Sequence, residues 1–409
     1  MIRWLSRWRM AGPGLVVTAA FIGPGTVTTA SKAGAKYGYQ LLWVLVVATL
    51  ATIFLQNMAA RVGLVTRVPL GIAIMESLKS QGMRWFVGVL AVFAIGFGNS
   101  AFQAGNLTGA RIGLEIIAGS THAEWVYLIA GMAMATLFMS SYKRIEFVLI
   151  AMVAFMSVGF LATAVLIRPE PSAVGAGLLP TVPKDSVLVV LGLLGTTIVP
   201  YNLFLHAGLV QRKWNANDET LVSIAAARAD SALAIGLGGL VSAAILVTAA
   251  VAYSGAGVEL KSAADMPAQL APLLGHQVAN LFFGVGLLAA GLTSAITAPL
   301  AAAMAISGLF GWGDDPKALR FRVIWLGVMG FGLVVARIWN NSPMEIIVVA
   351  QAANGLLLPV MVALLILVSH KHPRLSAYRP AWWENLAAVA VLALVLVLSG
   401  NFFRKLFES

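Results

Sequence analysis

Ala20-Phe21-Ile22-Gly23-Pro24-Gly25-Thr26-Val27 places a Gly-Pro-Gly triplet in the middle of an otherwise apolar run over 12–37. Proline lacks a backbone N–H and clashes with the carbonyl four residues back, so a helix breaks there. In a bilayer the polar backbone groups freed by such a break must face protein or a cavity. The interruption recurs in Gly195-Thr196-Thr197-Ile198-Val199-Pro200-Tyr201-Asn202, which puts Pro200 at a similar depth of the run 187–211, with Leu203-Phe204-Leu205-His206 after it. Broken hydrophobic segments at corresponding positions of two halves point to the substrate site of a transporter. Two ordinary proline kinks are the plainer alternative, and the pairing of the breaks in the first and sixth runs argues against it.

The rest of the chain fits that frame. Of 409 residues 60% are hydrophobic and only 11% charged, against about 25% charged in soluble domains, so a water-soluble enzyme is excluded and a polytopic membrane protein remains. Runs of about 20 apolar residues span the hydrocarbon core, and the sequence divides into eleven of them: 12–37, 41–62, 85–117, 124–141, 145–168, 187–211, 228–254, 277–310, 321–339, 343–369 and 382–403. This predicts one all-α integral domain over 1–409, with inverted repeats at 1–168 and 185–370 and an additional helix at 382–403. The opening Met1–Met10 segment is not read as a signal peptide, because Gly12-Pro13-Gly14 and Gly23-Pro24-Gly25 interrupt the run that follows.

Basic residues outnumber acidic ones 27 to 16, a net charge of +11. They stand singly between spans without interleaved aromatics, so nucleic-acid binding is not expected. With the N-terminus inside, 18 Lys and Arg fall on the cytoplasmic side and eight on the other, with Arg111 alone inside a span. The bias orients the chain with N-terminus cytoplasmic and C-terminus outside, in a plasma (inner) membrane. There is no cysteine and no GxxxxGK[ST] sequence, so neither a thiolate site nor ATP coupling is expected. No cofactor and no catalytic set is implied. The expected partners are a small ion or solute and the lipid bilayer, to which Trp43, Trp85, Trp382 and Trp383 are read as interfacial anchors.

Phe21-Ile22-Gly23-Pro24-Gly25-Thr26, with Ala33-Gly34-Ala35-Lys36-Tyr37-Gly38-Tyr39-Gln40-Leu41-Leu42-Trp43-Val44, resembles the first helix and following turn of the Nramp family of proton-coupled divalent-metal transporters. Val199-Pro200-Tyr201-Asn202-Leu203-Phe204-Leu205-His206 with Leu209-Val210-Gln211-Arg212 is similar to that family's sixth-helix signature. Leu287–Gly291 with Thr293–Thr297 is similar to its eighth helix, and Ala350-Gln351 with Leu358-Pro359 to its tenth. The resemblance runs over nearly the whole chain. It implies an amino-acid-permease-like (LeuT-like) fold of two five-helix inverted repeats, with alternating access.

The departures bear on function. The resemblance implies Asp-Pro-Gly-Asn in helix 1, where Gly23 and Thr26 replace the metal-binding Asp and Asn, and Met-Pro-His in helix 6, where Val199 and Tyr201 replace the soft sulfur and the imidazole. Gln103 and Asn106 occupy the places of an acidic pair on the proton route, and neither titrates. All sixteen acids fall in loops or near span ends, Glu115 and Asp230 being the deepest. No protein metal ligand is therefore assigned. An uncompensated charge in a low-dielectric site costs several kcal/mol, so a dehydrated transition metal is not expected.

The candidate substrate residues are Ala20, Gly23, Thr26, Thr196, Val199, Tyr201, Asn202 and Gln351. Asn99, Gln103 and Asn106, on one helix face by their spacing, form with Arg111 a candidate transport path. Interhelical hydrogen bonding and an Arg111–Glu115 pair are the structural alternatives. His206 is read as packing or hydrogen-bonded, and His370 and His372 as solvated. Three functions stay open: a transporter of an ion or small solute, including hydrated Mg²⁺; a transporter of a bicarbonate-sized anion or neutral solute; and a non-transporting membrane receptor.

Overall fold

The computed structural model describes residues 12–14, 17–18, 22–139, 143–214, 218–254, 260–313, 315–339 and 341–408. Ala20 and the opening Met1–Met10 segment lie outside them. The described residues are all-helical. Helix α1 (Pro24–Tyr37) follows Gly23, which is extended at φ −117° and ψ −174°, so the chain breaks where Gly-Pro-Gly requires it. Then come α2 (Leu42–Thr66), α3 (Gln81–Ala118), α4 (Trp125–Phe138) and α5 (Lys143–Leu166). The sixth span is split into α6a (Val187–Thr197) and α6b (Pro200–Lys213), separated by Ile198 and the extended Val199. The series ends with α7 (Thr220–Ala249), α8 (His276–Leu309), α9 (Leu319–Ile338), α10 (Pro343–Lys371) and α11 (Trp382–Glu408).

Among the described residues nine helices, counting α6a and α6b as one, are long and apolar enough to cross a membrane. The shorter α1 and α4 stand at the places of spans 1 and 4. Both breaks fall at the expected residues. Span 7 begins at Thr220, eight residues before its expected start, because Thr220–Ala227 continues the helical pattern past Arg228. Short helices at Leu70–Glu76 and Pro171–Gly177 and a 3-10 turn at Ala263–Leu270 fill the connections between spans 2 and 3, 5 and 6, and 7 and 8.

Large apolar side chains are both buried in the core, as Phe102, Phe160 and Phe283 are, and exposed on the outer faces of the helices. On α3 the large residues Trp85, Phe86, Val89 and Phe93 are exposed, while Gly98, Gln103, Gly105, Asn106 and Gly109 are buried. Lipid is as apolar as leucine, so large side chains are tolerated on the outer face, and small and polar residues let helices approach closely. Accordingly α3 lies along α8, α9 and α10. A β-carbon on Gly113 would come within 2.4 Å of the Leu288 backbone nitrogen, so the α3–α8 crossing has no room for a side chain there.

At the end where α2 and α6b finish, two contacts join distant parts of the chain. Glu384, in the first turn of α11, accepts hydrogen bonds from Arg61 Nη2 at 2.7 and 2.8 Å, from Arg228 Nη2 at 2.5 Å and from the Ala381 N–H at 2.8 Å. His372 corrects the expectation of a solvated loop residue: it is buried, with Nε2 3.1 Å from Glu76 Oε2. The Leu70–Glu76 helix, which the sequence reading did not foresee, brings the carboxylate to it. His370 is exposed, as a solvated residue would be.

Candidate functional site

The two breaks face each other. Thr26, in the first turn of α1, and Thr196, at the end of α6a, share a hydrogen bond of 2.8 Å between their hydroxyl oxygens, and both are fully buried. Gln351 from α10 closes a third side. A β-carbon on Gly25 would fall 2.2 Å from Gln351 Nε2, and one on Gly195 would fall 1.9 Å from the Gln351 carbonyl oxygen. Gly195 lets α6a lie directly on the α10 backbone at Gln351 and Gly355, and Gly25 leaves room for the Gln351 side-chain amide beside α1. On α3, Gly105 approaches the same Gln351 nitrogen, and a β-carbon on Gly109 would strike Pro24. The start of α1, the end of α6a, the middle of α3 and the middle of α10 thus converge on one point.

Polar side chains at the breaks and on α10 are left unpaired within the protein. Both side-chain atoms of Gln351, both of Asn202 and the Tyr201 hydroxyl are buried without a hydrogen-bond partner. Such groups cost about 1–3 kcal/mol each when left unmade, so these side chains of α6b and α10 keep hydrogen-bonding capacity for water or a cargo. Tyr201 is held by an edge-on contact with Phe102 of α3, ring centroids 6.0 Å apart. Val199 is buried and extended between the half-helices, offering backbone and an apolar side chain. A β-carbon on Gly23 would lie 2.9 Å from Ser294 Oγ, which brings α8 to the rim, a residue the sequence reading did not single out as a site member.

The helix 3 residues divide. Gln103 Nε2 donates to the Ala295 carbonyl at 3.1 Å and lies 3.1 Å from Met329 Sδ, so it faces α8 and α9. Asn106 Nδ2 donates to Gln103 Oε1 at 3.4 Å, leaving Asn106 Oδ1 buried without a partner. Asn99 turns back to its own helix, donating to the Ile95 carbonyl at 2.8 Å. Arg111 is buried, with Nε 3.5 Å from Glu115 Oε1 one turn on. His206 is buried between α2 and α7, with Nδ1 3.2 Å from the Gln56 carbonyl and Nε2 3.4 Å from Ser231 Oγ. Asp230 accepts from the Gly14 N–H at 2.8 Å and lies 4.0 Å from Lys213 Nζ.

Above the site, toward the end of α1, sequence reasoning missed Gln269. It is buried, accepts from Ser31 and Thr248, and donates to Ser31 at 3.0 Å and to the Met266 carbonyl at 2.9 Å. It lies in the connection between spans 7 and 8, where a glutamine gives no periodic signal. Among the described residues no three His, Cys, Asp or Glu side chains gather where they could hold a metal ion.

A multi-pass helical membrane protein with discontinuous first and sixth helices, meeting around buried polar side chains, has the construction of a membrane transporter. The chain belongs to the Nramp family: residues 14–405 match the family described as natural resistance-associated macrophage protein-like. It is 26% identical over 397 residues to the divalent metal cation transporter MntH of Brucella suis, covering 95% of this chain and 86% of that protein. With MntH 1 of Pseudomonas aeruginosa it shares 29% over 390 residues, 92% and 87% of the two chains. Its fold is that of the Eremococcus coleocola manganese transporter, TM-score 0.75 at 22% identity, with 97% and 87% covered. It also resembles, more distantly, the nucleobase-cation-symport-1 family transporter Mhp1, TM-score 0.56 at 17% identity, with 97% and 93% covered.

Proposed function

We propose that this chain is a secondary transporter that works by alternating access and carries its cargo on neutral groups. Thr26, Thr196, Tyr201, Asn202 and Gln351 bind the cargo, and Gly23, Ala20 and Val199 shape the walls. Asn106 and Gln103, with Asn99 and Arg111 on the same helix, line or brace the route. The observation that carries this reading is the convergence of unsatisfied amide and hydroxyl groups at the helix breaks with no carboxylate, thioether or imidazole among them.

The relatives are named as divalent metal cation and manganese transporters. Carried to this chain, that cargo meets a site without the charge or the soft donor that a dehydrated transition metal needs. Three cargoes are compatible with neutral donors: a divalent cation that keeps several waters, as Mg²⁺ does; an anion of bicarbonate size; and a neutral polar solute. Gln103 and Asn106 hold no titratable proton, so transport runs without the family's proton coupling. The chain sits in the plasma (inner) membrane with its N-terminus cytoplasmic and its C-terminus outside, and its halves 1–168 and 185–370 are the repeats that rock against each other, with 382–403 appended.

The test is flux of Mn²⁺, Mg²⁺ and bicarbonate into proteoliposomes, each with the wild-type chain and with Gln351→Ala and Tyr201→Phe. Flux of Mg²⁺ or bicarbonate that falls more than tenfold in Gln351→Ala supports the reading. Mn²⁺ uptake with proton influx overturns the neutral-site argument, and no flux of any cargo beside unaltered folding in both variants favours a non-transporting protein.

A further inference from the structure

Between α5 and α7 the packing leaves a gap. Ala154 and Ser157 of α5, three residues apart, and Ala234 and Gly238 of α7, four apart, put small side chains on one face of each helix. Faces of that kind let membrane helices close up on each other. Here they border an open cavity of about 190 Å³ instead. Its inner wall is made by Thr18 and Ile22, in the segment of span 1 that leads to the break at Gly23, and by Thr293 of α8, all three buried. Ala154 and Leu237 are exposed and frame its mouth.

The wall is chemically plain. The Ser157 hydroxyl donates to the Val153 carbonyl and the Thr293 hydroxyl to the Ala289 carbonyl of their own helices, each at 2.8 Å. That leaves the Thr18 hydroxyl without a partner, and no charged side chain lines the cavity among the described residues. A buried water needs about two to four polar partners, so this wall does not hold one. An empty apolar cavity costs stability in proportion to its volume, which favours an apolar occupant.

The surroundings supply that occupant. On the outer faces of the same two helices Phe155, Val158, Leu233 and Leu240 are each more than half exposed, so the mouth opens into the hydrocarbon that covers them. Ile22 adjoins the first helix break, and Ala154 and Gly238 stand near the middles of α5 and α7. The cavity therefore lies at mid-depth in the bilayer, where acyl chains end rather than where head groups sit.

We propose that this cavity is a lipid site: the end of a phospholipid acyl chain enters between α5 and α7 and rests on Thr18, Ile22 and Thr293. A chain lodged there supports the segment before the first break from the membrane side, whichever cargo the breaks bind.

The test uses the full chain in proteoliposomes made with a phosphatidylcholine that carries a photoactivatable diazirine at the end of one acyl chain, and peptide mass spectrometry locates the labelled residues. Labels are expected on Thr18, Ile22 or Thr293, which lipid on the outer surface does not reach, as well as on the exposed Phe155 and Leu240. A diazirine placed next to the head group should label none of the buried three. Ala154→Phe, which narrows the mouth, should lower labelling of the buried three by about fivefold or more and leave Leu240 within about twofold, because close-packed space admits one occupant. Ala234→Phe makes the same test from α7 if the first variant does not fold. Wild-type labels confined to the exposed residues overturn the proposal. So does labelling of the buried three that is equal from both diazirine positions, or that a folded variant leaves unchanged.

Discussion

At the level of single residues the account turns on side chains that are buried without a partner. Gln351 presses on Gly25 and Gly195 through its own atoms, yet its amide bonds to nothing in the protein. Removing an unsatisfied group forfeits no hydrogen bond, so Gln351→Leu should change unfolding stability by less than about 1.5 kcal/mol, the cost of a volume-conserving swap, while lowering flux at least tenfold. Thermal unfolding in detergent and proteoliposome uptake, read side by side, check this. Restoring a carboxylate at the first break tests the opposite direction. Gly23→Asp needs space now taken by Ser294 Oγ, so the paired variant Gly23→Asp/Ser294→Gly should bind Mn²⁺ at least tenfold more tightly than the wild type by isothermal titration. Unchanged Mn²⁺ affinity in a folded paired variant would mean that charge is not the missing element. Much of this was legible in the sequence, because Gly23, Thr26, Val199 and Tyr201 are departures that can be read letter by letter. The Thr26–Thr196 hydrogen bond and the proximity of Ser294 could not be read, since both are contacts across more than 160 residues of chain that only packing brings about.

At the level of elements, proline and glycine announced the breaks, so α1, α6a and α6b begin or end where the sequence predicts. Connections were less legible: the helices at Leu70–Glu76 and Pro171–Gly177 are too short for a periodic signal, and the first of them delivers Glu76 to His372. The way α11 attaches was also hidden. Glu384 reads in sequence as an acid near the end of the last span, but it is buried against Arg61 of α2 and Arg228 of α7. Breaking a buried ion pair by removing one partner costs about 3–5 kcal/mol because the other charge is left uncompensated. Glu384→Gln should therefore lower stability by about that much, partly offset by the exposure of Arg228. A double-mutant cycle with Arg61→Met, measured by chemical unfolding, should recover part of the loss. Recovery of none of it would show that the pair is not coupled.

For the whole molecule, the surplus of 27 basic over 16 acidic residues reads in the sequence as membrane orientation. Lys32, Lys36 and Lys261 belong to separate stretches of sequence, and only the fold gathers them around one cavity. Architecture followed from the spacing of apolar runs, whereas which charged residues share a cavity needed three dimensions. The whole-molecule claim is that this member of the Nramp family moves its cargo without a titratable relay and without a ligand set for bare transition metal. The most direct measurement is Mn²⁺ uptake into proteoliposomes carrying an internal pH indicator and an imposed inward proton gradient. The account predicts Mn²⁺ accumulation no greater than in protein-free vesicles and no acidification on adding the metal. Saturable Mn²⁺ uptake with matching internal acidification would contradict it.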